Sequence, residues 1–551
     1  METLLVLILI VVFIMIIIIV TDKKEKKRLK DEFTKLTEQV NSLSKQSAKS
    51  NTDKLKDTSK TDLDTDKIIK IITQNATKNN NNDTKPFNAA EDNFKKSRII
   101  SDSEFESKLD LTFFREIYDN IEKGNKSIFI SGKAGTGKST FVEYFKRNND
   151  KKDTGKKNII FVAPTGVAAQ NIGAATIHSM FKFPHNIITI DEIDKIGYDQ
   201  KKIDTFNNLS CLLIDEISMV RVDIIEGIDY ILKKYRGNKE PFGGVQMIFV
   251  GDMYQLPPIV TKDNFTFIFN GVKYNKKQQD YFELVYGGHF WFNYKCISEM
   301  KLQYYELKKI FRQDDQGFIN ILNNIREKKH DQSNLNIINS KFEINDDKTD
   351  GITLCVYNGD ANKKNLVNLN NLQTKSYRYD AILSGSYLDA KDEKQYPADR
   401  ILELKVGAQI MMLENDLKGR WFNGTLGIIN YLDNNVIKVT IKKESHTINR
   451  RKWEAFDYEY DQDTGKLKKI IIGIFDQFPV TLAWAITIHK SQGKTFDNII
   501  VNLGTGAFVH GQVYVALSRC RTLNGITVII KKIENKDIIV DNDVVNFINS
   551  F

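Results

Sequence analysis

The segment ISGKAGTGKST contains glycines, a lysine and a serine at a spacing that could bind phosphate. From Gly132 through Gly137, Lys138 and Ser139 it fits G-x-x-x-x-G-K-[ST], the pattern of a P-loop. Glycine adopts backbone conformations closed to other residues, so successive N–H groups can turn toward one anion. In such a loop the lysine reaches the β- and γ-phosphates and the serine hydroxyl binds Mg²⁺. The pattern predicts a nucleotide-phosphate site, and the alternative is a glycine-rich turn that binds nothing.

Two acidic residues directly follow a second apolar run, in the segment CLLIDEISMV. A carboxylate at the end of a buried strand could bind Mg²⁺, directly or through water. Its neighbour could accept a proton from a water molecule that attacks the γ-phosphate. Asp215 is therefore predicted as a metal ligand and Glu216 as the general base. The alternative is an acid pair in a surface loop.

Three further residues complete the predicted hydrolytic set. Gln255 follows the apolar run QMIFVG, and its uncharged amide could bind the γ-phosphate or the attacking water. Arg312 and Arg519 lie far from the P-loop in sequence. A guanidinium near the transferring phosphate stabilises its charge, so arginines from a second domain would make hydrolysis depend on domain closure. The alternatives are a turn cap for Gln255 and surface salt bridges for the arginines.

Apolar runs that alternate with helical segments from about residue 98 onward must position these side chains. KSIFIS, before the P-loop, reads as a short buried strand, and STFVEYFKRNN, after it, has apolar residues at helical spacing. This alternation is typical of an α/β protein with a parallel sheet, which binds ligands at the carboxyl ends of its strands. Residues 424–477 contain β-rich runs separated by turn signals, which predicts a small β-rich insertion.

Composition limits the possible classes of protein. The 551 residues are 41% apolar, enough for two or three domains with cores. The net charge of +9 favours a polyanion or an anionic membrane surface as partner, although dispersed lysine is often only a solvated surface. Four cysteines lie far apart without a C-x-x-C pair, which argues against a zinc site or a disulfide framework and favours a reducing compartment.

The first part of the chain is predicted to be a membrane anchor followed by a linker. Leu4–Val20 is an apolar run of seventeen residues, and a basic cluster follows it. These features predict a single-pass transmembrane anchor at residues 1–22, with the rest of the chain on the cytoplasmic side. Residues 23–97 are basic and of low complexity, which predicts a flexible linker. A cleaved signal peptide is the alternative to the anchor. Leu29–Leu43 has the spacing of either a short coiled coil or a frayed amphipathic helix.

Ordered motifs from about Ser127 to Leu523 resemble superfamily 1 helicases of the petite-integration-frequency (PIF) type, related to the bacterial RecD enzymes. The motifs are GKAGTGKST, APTGVAAQNIGAATIHSMF, LLIDEISMV, GDMYQLPP, FRQ, LKVGAQIMMLEN, FNGTLGII, FPVTLAWAITIHKSQGKTFD and VYVALSRCRTLNGI. The segment from Glu216 to Arg236 also resembles a signature of that family. The resemblance implies an α/β fold with two RecA-like P-loop motor domains. Their predicted extents are 98–300 for the first, 301–423 with 478–551 for the second, and 424–477 for an SH3-like β-barrel insertion.

The resemblance also implies the role of each site residue. The nucleotide-binding residues would be Gly132, Lys133, Ala134, Gly135, Thr136, Gly137, Lys138, Ser139 and Thr140. The catalytic residues would be Lys138, Glu216, Gln255, Arg312 and Arg519, with Ser139 and Asp215 binding Mg²⁺. The DNA-binding residues would be Thr165, Gly166, Thr176, His178, Ser179, Asn358, Thr487, His489, Lys490 and Gln492. Small hydroxyls and amides suit a motor that contacts phosphates without reading bases.

One feature of the family is missing from this sequence. Its members usually carry a glutamine ahead of the P-loop that reads the adenine ring, but residues 97–130 contain none. The resemblance therefore does not extend to selectivity for ATP over other nucleotides. A strand-separating wedge would be expected within residues 184–209, where no residue suggests that role.

The sequence as a whole predicts a membrane-tethered, ATP- and Mg²⁺-dependent DNA helicase. It would move 5′ to 3′ on single-stranded DNA, act at duplex junctions and contact a lipid bilayer through its anchor. One alternative is a nucleotide-switched tether that holds nucleic acid at a membrane without unwinding it. Another is a signalling or assembly ATPase, which would have no use for the TIHKSQG and GDMYQLPP motifs.

Overall fold

The computed structural model describes residues 111–151, 157–269, 271–344, 351–390, 396–416 and 418–551. All of them belong to one compact unit that spans residues 94–551. The predicted anchor at residues 1–22 and the linker at 23–97 lie outside the described residues. Within the described ranges, no helix is both long enough and apolar enough to cross a bilayer.

The first domain is built on a six-stranded parallel sheet with the strand order β3-β2-β4-β5-β1-β8. Its strands, and a separate hairpin formed by β6 and β7, are β1 Ile128–Gly132, β2 Ile159–Ala163, β3 Ala175–Thr176, β4 Cys211–Ile214, β5 Gln246–Gly251, β6 Asn264–Phe269, β7 Val272–Lys277 and β8 Gln303–Leu307. Its helices are α1 Leu111–Lys123, α2 Lys138–Lys151, α3 Gly166–Asn171, α4 Ile177–Phe181, α5 Ile190–Asp194, α6 Gln200–Asn208, α7 Val222–Arg236, α8 Gln278–Tyr286 and α9 Lys295–Glu299.

The central strands β1, β4 and β5 are buried along their whole length, as expected for strands covered by helices on both faces. Because these strands are parallel, their carboxyl ends lie at one edge of the sheet. The P-loop, the acid pair and the segment with Gln255 follow β1, β4 and β5 in turn. The fold therefore brings three distant sequence segments to one edge, as the sequence predicts.

The second domain contains a five-stranded parallel sheet with the order β21-β10-β22-β23-β9. The remaining strands of the chain are β9 Phe342–Glu343, β10 Ile352–Cys355, β11 Ser376–Asp380, β12 Ile382–Gly385, β13 Ile401–Lys405, β14 Gln409–Met412, β15 Leu426–Leu432, β16 Ile437–Ile441, β17 Glu444–Ile448, β18 Arg451–Asp461, β19 Lys466–Gln477, β20 Val480–Leu482, β21 Ala485–Thr487, β22 Ile499–Asn502 and β23 Ile526–Ile529. The remaining helices are α10 Gln316–Arg326, α11 Gln332–Asn339, α12 Asn358–Asn371, α13 Gln512–Leu517 and α14 Asn542–Asn549. Two parallel sheets with flanking helices are consistent with two RecA-like domains.

The β insertion is larger than the predicted range 424–477. Antiparallel strands run from β11 to β20, and β14 pairs with β20 across the whole predicted insertion. Pairing between strands so far apart in sequence leaves no local pattern, so a boundary drawn from sequence alone falls inside the sheet. The β18–β19 hairpin also packs against the first domain, where Asp457 pairs with Lys202 and the Glu454 carbonyl accepts from Gln170 Nε2 at 2.9 Å.

The structure also corrects the predicted limits of the two motor domains. Strand β8 lies beyond residue 300 but pairs with β1, so the first domain continues to Leu307. Helix α14 lies inside the range predicted for the second domain, yet it packs on the core of the first. Its Phe547 ring stacks on Phe292 with centroids 4.3 Å apart, and Val544 is fully buried. An amphipathic helix buries its apolar face against an available core, so its position along the chain does not by itself assign it to a domain.

Candidate nucleotide site and nucleic-acid interface

The P-loop connects β1 to the first residue of α2, Lys138. Gly135 and Gly137 have φ angles of 81° and 89°, where a side chain would be strained, so both turns require glycine. The Lys138 ammonium donates hydrogen bonds to the carbonyl oxygens of Gly132 at 2.7 Å and Lys133 at 3.2 Å. The loop and the amino end of α2 thus form a concave backbone surface suited to phosphate.

Both residues of the acid pair interact electrostatically with Lys138. Burial lowers the pKa of Lys138, and Asp252, Glu216 and Asp215 act in the opposite direction. Asp215 is buried, and its Oδ1 accepts from the backbone N–H of Glu216 at 2.9 Å. Burial and the charge of Glu216 raise the pKa of Asp215 to about 7. A buried carboxylate beside a second, half-buried one is stabilised by a nearby cation.

The donor set beside the P-loop fits Mg²⁺. Mg²⁺ is usually held by one or two protein oxygens, with substrate phosphates and water completing its shell. Asp215 provides a carboxylate at this edge of the sheet, and Ser139 provides an exposed hydroxyl at the amino end of α2. Throughout the described ranges no group of three or more His, Cys, Asp or Glu side chains could hold a metal on its own. A site completed by nucleotide phosphates is the arrangement that these residues allow.

A buried network around Asp252 joins the two domains. The Arg326 Nη2 atom lies 2.8 Å from Asp252 Oδ1, and the Tyr514 hydroxyl donates to Oδ2 at 3.3 Å. The same hydroxyl accepts from the P-loop N–H of Ala134 at 2.9 Å, and the Gln255 amide donates to Asp252 at 3.3 Å. Burial alone would raise the pKa of Asp252, but the Arg326 guanidinium holds it below its ordinary value. The network connects the P-loop, the end of β5 and helix α10 of the second domain.

Arg326 and Tyr514 are functional candidates that sequence reasoning missed. Arg326 follows the buried residues Phe318 and Leu322 at intervals of eight and four, so it lies on the same face of α10. An arginine on the apolar face of a helix is a sequence signal for a buried partner, because an unpaired buried charge is costly. The identity of that partner could not be read from the sequence, since Asp252 is more than seventy residues away.

Of the two predicted arginines, Arg312 approaches the P-loop directly, whereas the hydrogen bonds of Arg519 lie within residues 515–518. A Cβ atom on Gly135 would lie only 2.6 Å from the Cβ of Arg312, so Arg312 directly abuts the P-loop. Arg312 Nη1 donates to the Ser518 carbonyl at 3.1 Å. Arg519 is fully buried and donates to the Val515 carbonyl at 2.9 Å and to Ser518 Oγ at 2.8 Å. Burial lowers the pKa of both arginines, and Glu216 raises it.

The predicted DNA contacts of the first domain cluster at two neighbouring helix starts. Strands β2 and β3 are paired in parallel, and each leads into a short helix. Thr165 caps α3, where its hydroxyl accepts from Ala168 N at 3.2 Å, and Gly166 is the first residue of that helix. Thr176 caps α4, where its hydroxyl accepts from Ser179 N at 3.1 Å. The structure therefore places four of the five predicted residues side by side.

His178 is the fifth of these residues and forms an unpredicted pair. Its ring stacks on His185, with centroids 4.7 Å apart and an interplanar angle of 20°. Burial, with smaller effects of His185 and Arg221, lowers the pKa of His178 to about 3. The imidazole is therefore neutral at physiological pH and can offer a hydrogen bond or a ring face, but no charge, to a nucleic acid.

The predicted DNA contacts of the second domain lie at the carboxyl ends of β10 and β21, which pair in parallel. Asn358 begins α12 and is exposed, while Thr487 ends β21 and its hydroxyl accepts from Lys490 N at 3.3 Å. Burial lowers the pKa of His489. Both buried side-chain polar atoms of Gln492 have no hydrogen-bond partner among the described residues. A buried amide without partners is costly, so this side chain is suited to a ligand that supplies them.

Comparison with known proteins identifies the family. Residues 110–336 match the family model of the PIF1-like helicase. The ATP-dependent DNA helicase PIF1 of Danio rerio is 30% identical over 416 residues, which cover 74% of this chain and 59% of that protein. Pif1 of Bdellovibrio bacteriovorus is 29% identical over 435 residues, or 78% of this chain and 90% of that protein. The chain spans about three fifths of the length of the vertebrate relatives it matches.

Solved structures agree with the sequence comparison. Unliganded Pif1 from Bacteroides sp superposes with a TM-score of 0.68 at 36% identity, covering 79% of this chain and 96% of that one. The Bacteroides enzyme has also been solved in complex with ADP-AlF4 and bound to single-stranded DNA, and a further Pif1 structure concerns unwinding at forked duplex DNA. With these matches and with the motor residues gathered at one interface, the chain belongs to the PIF1-like family of superfamily 1 DNA helicases.

Proposed function

We propose that this protein hydrolyses ATP to move 5′ to 3′ along single-stranded DNA and unwinds duplexes while tethered to a membrane. The helicase part is supported by one arrangement: Arg312 abuts the P-loop, and Lys138 and Arg519 both interact electrostatically with Glu216. The Danio rerio relative is an ATP-dependent DNA helicase, and Bacteroides Pif1 has been solved with ADP-AlF4 and with single-stranded DNA. These relatives support ATP as substrate and DNA as track.

In the proposed hydrolysis, each residue at the interface has a distinct task. Backbone N–H groups of the P-loop and the Lys138 ammonium bind the β- and γ-phosphates. Glu216 accepts a proton from the attacking water, whose position Gln255 fixes through its amide. Arg312 and Arg519 neutralise charge that develops on the transferred phosphoryl group. Mg²⁺ held by Ser139 and Asp215 would supply further positive charge against the phosphates.

The same interface can couple hydrolysis to movement. The arginines belong to the second domain, so their approach to the phosphates requires the two domains to be close. The buried pair of Asp252 and Arg326 connects the end of β5 to α10 and would transmit a change at one domain to the other. DNA contacts are proposed in both domains. A change in the spacing of the domains would therefore move the contacts of one domain along the DNA strand relative to those of the other. We also propose that the β insertion forms the SH3-like barrel of this family.

Strand displacement with tailed duplexes tests the proposed activity. We expect ATP-dependent displacement from a duplex with a 5′ single-stranded tail and none from one with a 3′ tail. Displacement from the 3′ tail alone would contradict the proposed direction. DNA binding that changes with nucleotide, without displacement from either substrate, would support the alternative of a nucleotide-switched tether.

Variants of the proposed DNA contacts in the second domain test whether this surface binds the single strand. His489→Ala combined with Lys490→Ala should weaken binding of single-stranded DNA by roughly tenfold or more, because a hydrogen bond to a charged group contributes about 1.5–3 kcal/mol. The stimulation of ATP hydrolysis by DNA should fall in parallel. Lys443→Ala, an exposed lysine in the turn after β16, is the control and should behave like the unaltered protein. Equal behaviour of all three proteins would exclude this site from the track.

The membrane part of the proposal rests on residues 1–30. As a helix, seventeen apolar residues would span about 25 Å, slightly less than a hydrocarbon core of about 30 Å, and modest bilayer thinning would accommodate the difference. The basic cluster at Lys23–Lys30 fixes the orientation and attracts anionic lipids. The helicase domains would then lie on the cytoplasmic side.

Membrane fractionation with carbonate washing tests the tether. We expect the full-length protein to remain in the membrane pellet, because carbonate removes peripheral proteins but not spanning helices. A shortened chain that begins at residue 98 should be released into the supernatant. Full-length protein in the soluble fraction, or a mature chain that has lost the apolar run, would contradict an uncleaved anchor.

A further inference from the structure

The β6–β7 hairpin presents an outer face that no part of the established motor accounts for. Its antiparallel register pairs Ile268 with Lys273 and Asn264 with Lys277. Because side chains alternate between the two faces of a strand, one face carries a set whose members are all exposed. They are Asn264, Thr266, Ile268, Lys273, Asn275 and Lys277.

The opposite face of the hairpin holds it firmly against the first domain. Phe265 and Phe267 pack edge-on against Tyr281 of α8, with ring centroids 5.1 and 4.7 Å apart. Phe267 also stacks on Tyr274 across the hairpin at 5.4 Å. An isolated two-stranded hairpin is marginally stable, so this aromatic layer is what allows the ribbon to stand out from the domain.

The hairpin lies near His178, one of the proposed DNA contacts of the first domain. Its apolar cluster includes Ile187, which is fully buried and lies two residues after His185. His185 in turn stacks on His178. Arg221 Nη2 donates to the Asn186 carbonyl at 2.8 Å, which fixes this loop to the start of α7. The hairpin is therefore connected to the His178–His185 pair through one short loop of the first domain.

The charge of the hairpin suits a polyanion. Residues 262–277 contain four lysines and one acidic residue, Asp263. The lysines are Lys262, Lys273, Lys276 and Lys277, and all four are exposed. Within the part of the chain that the structure describes, none of them forms an ion pair. Asparagine and threonine side chains between the lysines can donate further hydrogen bonds to phosphate oxygens.

We propose that the outer face of the β6–β7 hairpin binds the duplex part of a DNA fork. The shape favours a duplex over a single strand, because the major groove, about 12 Å wide, admits a two-stranded β-ribbon. Lys273 and Lys277 are four residues apart, which separates their Cα atoms by about 13 Å along the strand, so they can reach different phosphates. The inference rests on the proposed function, since the hairpin would hold the duplex that the motor opens.

The test compares the salt dependence of fork and single-strand binding for matched variants of the full-length protein. The hairpin variant carries Lys273→Glu and Lys277→Glu. The control carries Lys239→Glu and Lys301→Glu, two exposed lysines that precede β5 and β8 and so lie at the opposite edge of the sheet. Both variants change the net charge equally. Binding is measured to a fork with a 5′ tail and to the same tail as a single strand, from 50 to 300 mM salt.

We expect the hairpin variant to bind the fork about tenfold more weakly at moderate salt. Each lost contact to a duplex phosphate lowers the slope of log affinity against log salt by about 0.9, so two lost contacts lower it by roughly 2. Binding of the single strand should match that of the control variant. Lys273→Gln with Lys277→Gln should reproduce the change in slope without added repulsion, which separates lost contacts from general charge effects.

Two results would overturn the proposal. Unchanged fork binding would exclude the hairpin from the interface, and an equal loss for fork and single strand would assign it to the track instead. Either result leaves the helicase assignment intact if the unaltered protein still displaces 5′-tailed strands. If the unaltered protein neither displaces strands nor distinguishes a fork from its tail, the proposed function fails and this inference fails with it.

Discussion

Replacement of Glu216 by Gln is expected to lower ATP turnover by about 10²- to 10⁴-fold while nucleotide still binds. The amide keeps the shape of the side chain but cannot accept the proton of the attacking water. Asp215 and the P-loop are untouched, so nucleotide affinity should change by less than a few-fold. Phosphate release under saturating ATP and DNA measures turnover, and binding of a fluorescent nucleotide measures affinity.

The control for this variant is Glu283→Gln, which removes one exposed carboxylate from α8 without approaching the nucleotide site. It should turn over ATP at the unaltered rate. Turnover within about threefold of normal in Glu216→Gln would exclude Glu216 as the base. Loss of nucleotide binding together with turnover would indicate a structural role instead.

The backbone at Glu216 supports a specialised role for this residue. Its φ and ψ angles of 50° and 45° lie in the left-handed region, which costs energy for a residue with a side chain. The hydrogen bond from its N–H to Asp215 Oδ1 fixes this conformation. Strain of this kind persists where the surrounding structure imposes it, and here it turns the chain sharply at the end of β4. The two consecutive acids thereby acquire different environments.

The positions of the candidate nucleotide-site residues could be predicted because these residues follow strands with a strong local signal. The runs that form β1, β4 and β5 are mostly apolar. The P-loop and Asp215 come directly after β1 and β4, and Gln255 comes four residues after the end of β5. In a parallel sheet such positions share one edge, so proximity follows from strand type alone. The order of the strands was not needed for this prediction.

Features that depend on pairing between distant segments could not be predicted in the same way. Strand β8 has the sequence QYYEL, whose mixed polarity gives no sign that it extends the first sheet beside β1. The predicted insertion at 424–477 excludes β14 and β20, because only their pairing with each other shows that they belong to the same sheet. The buried pair of Asp252 and Arg326 is a third case, since each charge is visible in the sequence but its partner is not.

Replacement of Arg519 by Lys is expected to lower DNA-stimulated ATP turnover by roughly 10³-fold. An arginine that stabilises the transferring phosphoryl group contributes about 10³ to 10⁵ in rate, and its planar fork of donors has no equivalent in lysine. The variant keeps the positive charge at the domain interface. Nucleotide affinity should therefore fall far less than turnover, as measured by phosphate release and fluorescent-nucleotide binding.

Arg521 provides a matched control two residues further along the same motif. It is an exposed arginine whose Nε lies 3.0 Å from Asp497 Oδ1, at the surface of the second domain. Arg521→Lys should leave turnover within about twofold, because an exposed ion pair contributes little. Arg519 is fully buried, so thermal melting of both variants must separate loss of chemistry from loss of folding. A folded Arg519→Lys protein with near-normal turnover would show that the charge alone suffices, and would assign the phosphate contact to Arg312.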